Sequence, residues 1–287
     1  MNGRDDGRQV NGSPQAQDGR GDGRADDHAD ELTDGLAELW EPAPAGFAAM
    51  ILERAGVPAH RYDRYVRVGS PVGELYVAHG RGAVTGSAAV AWHAGAEGFE
   101  TAYRARTGRS VLPVDKPPPG LLGALRTGRD KLLRYEFGPV APEQRAVLEA
   151  VRAIPFGQLR PAAWLVREVG GVLSPEEALS AARANPAPAL VPTHRLSLPD
   201  GTPADVGLPA GFAELLRDRE GIDEERVDRF ARSGARFLGS GTTRIFCYPT
   251  CANARRITER HEVPFSSVDQ AGAAGFRACL SCRPAAV

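Results

Sequence analysis

The sequence predicts a soluble chain of mixed helical and β structure that ends in a small metal-held module. Three observations carry this. Hydrophobic residues make up 42 % and charged residues 25 % of the 287 residues, the balance of an ordinary globular protein. Segments with helical spacing are interrupted by one clear β-hairpin pattern. All four cysteines lie in the last 41 residues, as two close pairs. The length allows one large domain or two ordinary ones. No apolar run nears the length of a bilayer crossing, and the N-terminus lacks the apolar stretch of a signal peptide. A cytoplasmic protein without membrane contact is therefore expected. The net charge of −1 does not itself favour nucleic acid, whose binding domains are usually basic. The charge is uneven, however. Acidic residues crowd the first thirty positions, while Arg244, Arg255, Arg256, Arg260, Arg277 and Arg283 crowd the other end.

Taken in order, residues 1–31 are mostly Gly, Asp, Arg and Gln; they cannot bury enough surface to offset their ordering entropy and are expected to be disordered. An α/β region is expected over 32–140. Within it Asp34–Trp40 and Phe47–Arg54 have helical spacing. Tyr65–Val68 and Glu74–Ala78 alternate around Pro71–Gly73 and read as a hairpin. Gly95–Arg106 reads as a helix, and Lys116–Gly120 as a proline-rich connector. A helical region is expected over 141–221. It opens with Pro142–Arg152, which has proline in its first turn. Pro161–Val169 and Pro175–Ala184 follow, separated by Gly170 and Gly171, the outline of a helix-turn-helix. The same outline serves equally as a simple packing unit. Residues 222–239 are read as a helical linker and 240–287 as the metal module.

The cysteines are spaced C-x3-C, 27 intervening residues, C-x2-C. Each close pair forms a turn that points two thiolates at one centre, as tetrahedral Zn²⁺ requires, so Cys247, Cys251, Cys279 and Cys282 are the expected ligands. In a cytosolic chain this pattern favours metal over disulfides. With Phe246, Pro249, Phe265 and Phe276 nearly the only large apolar residues nearby, the metal substitutes for a core. On composition alone, such four-cysteine sites are more often structural than reactive.

The residues around the cysteines, Thr242–Arg256, Val263–Ser267 and Ala274–Pro284, closely resemble the Ada metal-binding domain. The resemblance implies that Cys247 takes a methyl group from a methylphosphotriester in damaged DNA. It also implies that Thr243, Arg244, Arg255 and Arg256 contact DNA, although one arginine of the family falls on Ala254 here. The chemistry is sensible. Four thiolates around Zn²⁺ carry two net negative charges, so the sulfurs are ionised and electron-rich. Methylating one removes a negative charge and tightens attachment to phosphate.

Residues 62–221 resemble the alkylguanine-DNA alkyltransferases, clearly from Pro142 onward: Ala153–Gly157, Asn185 with Pro186, Leu190–Arg195 and Gly211–Gly221. The fold this implies is α+β, a small sheet domain followed by a helical, winged-helix-like domain. The family's active-site motif is Pro-Cys-His-Arg; this chain has Pro192, Thr193, His194 and Arg195. The resemblance puts His194 and Glu220 in the relay that activates the nucleophile, Asn185 in the supporting turn and Arg195 near DNA. A thiol can be ionised by such a relay, whereas an alcohol is a far weaker acid, so Thr193 is expected to be inactive. The family's base-flipping tyrosine falls on Ala162 and its arginine finger on Glu176, which removes both groups that extrude a base. His194, Arg195 and Glu220 then read as a buried network that outlasts its chemistry.

Two functional readings follow. One is a DNA alkylation-damage protein acting on alkylated duplex through Cys247, with a silent middle domain. The other is a non-enzymatic DNA-binding regulator or scaffold with structural zinc and a protein partner.

Overall fold

The computed structural model describes residues 43–285, and from Ala45 onward the chain packs as one compact unit. The expected disordered tail and the helix expected over Asp34–Trp40 lie outside these residues. The architecture is mixed α+β, with two four-stranded sheets and a helical layer.

Helix α1 is Phe47–Arg54, and the hairpin is β1 (Tyr62–Ser70) and β2 (Gly73–His79). The turn is tight: Ser70 pairs directly with Gly73, whose φ of 105° suits a residue without a Cβ. Strands β3 (Val84–Ala89) and β4 (Ser110–Pro113) complete a sheet of order β3-β2-β1-β4, with β4 parallel to β1. Alternation divides this sheet between two cores. Val66, Leu75 and Val77 face the main core, while Tyr65, Tyr76 and Ala78 pack with Phe99 and Tyr103 of helix α2 (Gly95–Thr107).

After helix α3 (Leu121–Thr127) comes α4 (Pro142–Arg152), which has proline in its first turn and buries Val147, Leu148 and Val151. The pair of helices over 161–184 forms as expected. Strand β5 (Arg160–Pro161) leads into α5 (Ala162–Glu168), and α6 is Pro175–Arg183. Helix α6 starts from a capping box: the Ser174 hydroxyl accepts from Glu177 N, and the Glu177 carboxylate accepts from Ser174 N. Thr193–Arg195 forms a 3-10 turn, after which β6 (Leu196–Ser197) pairs parallel with β5. Helix α7 (Phe212–Arg219) ends at Glu220.

Helix α8 (Glu224–Arg232) precedes the second sheet. That sheet contains β7 (Phe237–Ser240), β8 (Ile245–Cys247), β9 (Glu262–Phe265) and β10 (Arg277–Ala278), in the order β10-β8-β7-β9. Helix α9 (Val268–Ala273) joins β9 to β10. Strand β7 falls in the segment read from sequence as a helical linker, yet it is central to the module's sheet. A Cβ at Gly239 in β7 would stand 2.6 Å from the Phe265 ring and 2.7 Å from that of Phe276, so those rings close over bare backbone. Phe237, Phe246 and all four cysteines belong to the same continuous core cluster as Val147, Leu165 and Leu196 of the helical region. No helix among the described residues is long and apolar enough to cross a membrane.

Candidate functional site

Two places hold the sequence-predicted site residues. The first is the turn carrying Thr193. Asn185 prepares it: its Nδ2 donates to Val191 O at 2.9 Å, and its Oδ1 accepts from Ala187 N at 2.9 Å. Thr193, His194 and Arg195 are all buried. His194 Nε2 lies 2.8 Å from Glu220 Oε1, while the Arg195 Nε and Nη2 groups fork onto the same carboxylate at 2.8–3.1 Å. Arg195 Nη1 donates to Ile154 O at 2.6 Å, and Glu220 Oε2 accepts from Gly157 N at 2.7 Å.

Burial would raise the Glu220 carboxyl, but hydrogen bonds from His194 and Arg195 outweigh it and hold its pKa down to about 2. Burial drives His194 below its ordinary value despite the Glu220 partner, so the ring is neutral at neutral pH. The structure thus brings His194 and Glu220 together, while His194 Nδ1 has no hydrogen-bond partner among the described residues. Thr193 Oγ1 is buried without a hydrogen-bond partner among the described residues. A small cavity lined by Ala189, Pro192, His194, Arg195, Arg219 and Glu220, and not by Thr193, holds about 20 Å³, room for a single water. Arg195, expected near DNA, points inward with its donors occupied. Ala162 is fully buried and Glu176 is exposed on the first turn of α6.

The second place is the cysteine cluster. Cys247 ends β8, Cys251 follows one turn later, and Cys279 directly follows β10, where its N–H donates to Phe246 O at 2.9 Å. Cys282 lies in the next turn, which Arg283 N closes onto Cys279 O at 2.9 Å. All four sulfurs lie within 4.8 Å of one another and all four residues are buried. Tetrahedral Zn–S bonds of about 2.3 Å fit that spread, and the all-sulfur donor set suits zinc. Asn253 Nδ2 donates to Cys279 Sγ at 3.4 Å.

Cys247 is the ligand that lines an open cleft of about 540 Å³, together with Thr243, Asn253, Arg256, Arg260 and His261. Two of the expected DNA contacts, Thr243 and Arg256, thus line the same cleft as Cys247. Arg244 is exposed with its guanidinium 5.0 Å from the Phe276 ring centroid. Arg255 instead turns to the helical region, donating from Nη2 to Gly157 O at 3.0 Å. Sequence reasoning did not assign Arg260 and His261 to the site. Arg260 was visible in the C-terminal arginine cluster, but nothing local marked His261.

Residues 225–285 match the family described as the metal binding domain of Ada. The match begins at α8, fifteen residues before the segment assigned from sequence, and so takes in β7. With the buried four-cysteine cluster, it makes this a zinc site. None of the curated proteins matches the chain. Among solved structures, the O6-methylguanine methyltransferase of Mycobacterium tuberculosis is 20 % identical over 55 % of this chain and 92 % of its own, with a TM-score of 0.43. The O6-methylguanine-DNA methyltransferase of Pyrococcus kodakaraensis is 18 % identical over 56 % of this chain and 99 % of its own, also with a TM-score of 0.43.

Proposed function

We propose that this is a DNA alkylation-damage protein that accepts a methyl group on Cys247 from a methylphosphotriester and carries out no guanine dealkylation. The observation that carries the reading is the place of Cys247: a residue of the four-cysteine cluster that also lines an open cleft with Arg256, Arg260 and Thr243. Bound zinc keeps the four sulfurs deprotonated and therefore nucleophilic at neutral pH. The Cys247 sulfur attacks the methyl carbon of the triester. An S–C bond forms, the C–O bond breaks, and its electron pair stays on the phosphate oxygen, leaving an ordinary phosphodiester. Arg256 and Arg260 stabilise the charge that develops on that oxygen. The sulfur becomes a neutral thioether, so the centre loses one negative charge and repels the duplex less. Each protein molecule acts once.

The reading of the middle domain as an alkyltransferase relative rests on its sequence motifs. Its silence is supported by the burial of the Thr193 hydroxyl, which has no hydrogen-bond partner among the described residues. The test is to incubate the zinc-loaded protein and its Cys247→Ser variant with DNA carrying methylphosphotriesters and to count the triesters that remain. Loss of triesters in stoichiometric amount with the parent protein, and none with the variant, is expected. Equal loss with both would overturn the assignment of Cys247.

A second reading, DNA-binding regulation or scaffolding with purely structural zinc, draws on the burial of all four cysteines. It expects salt-dependent DNA binding and an unmodified Cys247.

A further inference from the structure

Arg160, at the start of β5, is among the most deeply buried large side chains of the molecule, at 1 % exposure. A guanidinium does not give up its proton in a protein, so its charge must be compensated where it lies. Its Nη1 donates to Leu159 O at 2.7 Å and Nη2 to Gln158 Oε1 at 2.6 Å, both neutral acceptors. Its Nε is buried without a partner, and no carboxylate pairs with it among the described residues. The guanidinium carbon sits 5.3 Å from the ring centroid of Tyr248, the residue that follows Cys247.

The backbone around it is fastened to the same loop. Thr250, between Cys247 and Cys251, accepts from Leu159 N at 2.7 Å, and Arg255 reaches Gly157 O at 3.0 Å. Four thiolates around Zn²⁺ leave two net negative charges, the compensation that the buried cation lacks elsewhere.

We propose that Arg160 is the counter-ion of the zinc–thiolate centre, supplied by the helical region across its contact with the Cys247–Cys251 loop, and that it strengthens the module's hold on its metal. This inference rests on the zinc site and not on methyl transfer, so either idea can fail alone. It gives the helical region a task that does not need Thr193 to react.

The experiment follows zinc release from the full-length, zinc-loaded protein to an excess of a chromogenic chelator. Arg160→Met keeps the length of the side chain without its charge, and Arg160→Lys keeps the charge. Release at least tenfold faster from Arg160→Met, with Arg160→Lys within about threefold of the parent, is expected. The same comparison is then made with Cys279→His, a substitution that keeps four ligands and lowers the charge of the centre by one unit. There the Arg160→Met effect should shrink, because charge coupling shrinks with charge whereas a packing loss does not. Equal release from the Met and Lys variants, an unchanged rate in Arg160→Met, or an undiminished effect with Cys279→His would overturn the proposal. If Arg160→Met fails to retain zinc at all, retention by Arg160→Lys supports it and failure of both contradicts it.

Discussion

Thr193 and Cys247 are the two positions where the proposed reading looks for a methyl acceptor, and their surroundings differ. Next to Thr193 in the chain stands a neutral histidine bonded to an ionised, buried glutamate, with an arginine holding that glutamate in place. On that reading the nucleophile there is lost: Thr193 is buried and its hydroxyl has no hydrogen-bond partner among the described residues. Cys247 lines a cleft of about 540 Å³ with two arginines and a histidine, and no relay is needed if metal keeps the thiolate ionised. The difference shows which features stability preserves. A buried ionic network resists loss because removing one partner strands the others, whereas an idle thiol and an open pocket carry no such protection.

The largest expected effect comes from metal. Structural zinc contributes apparent binding energies of about 10–16 kcal/mol to small modules, so chelation or Cys251→Ser should unfold the second sheet while the first sheet persists. Zinc content together with near-UV circular dichroism would report it; an unchanged spectrum would mean that packing alone holds the module.

Next is the network at the silent site. Glu220→Gln should destabilise the protein by about 3–5 kcal/mol in urea titration, because Arg195 loses its counter-charge in the interior. The pH dependence sharpens this. Glu220 is held down to about 2, below its ordinary value of about 4.3, so its contribution is complete above the ordinary value and lost as pH falls toward 2. His194, also lowered, adds a loss of the same sign below its ordinary range. The stability of Glu220→Gln should therefore vary less between pH 5 and about 2 than that of the parent. A parallel curve would place the acid sensitivity elsewhere.

A smaller effect belongs to the cleft. Arg256→Ala should weaken DNA binding by about 1 kcal/mol and lower the slope of log affinity against log salt by about one unit. An unchanged slope would remove Arg256 from the phosphate contacts. The smallest is at Thr193. Thr193→Cys should recover no measurable guanine dealkylation, because position 193 is buried and Ala162 and Glu176 stand where a base-extruding tyrosine and arginine would be needed; recovery would show that only the nucleophile had been lost.

Much of this comparison was legible before the structure. Proline in the first turn marks α4, and the alternation from Tyr65 to Ala78 marks the hairpin, because those signals are local. Strand β3 was missed since Val84–Ala89 is buried at every position, so no alternation betrays it. Strand β7 was assigned to a linker because its partners, β8 and β9, are supplied by later sequence. The cysteine spacing located the metal, but the reach of Arg255 to Gly157 and the burial of Arg160 depend on how distant segments pack. Charge alone suggests surface for both.

The most direct test of the central claim is the mass of the Cys247-containing peptide after the zinc-loaded protein has met methylated DNA. The expected result is a peptide heavier by one methyl group, with the Thr193 peptide unchanged. An unmodified Cys247 beside repaired triesters, or a methyl group on Thr193, would contradict it.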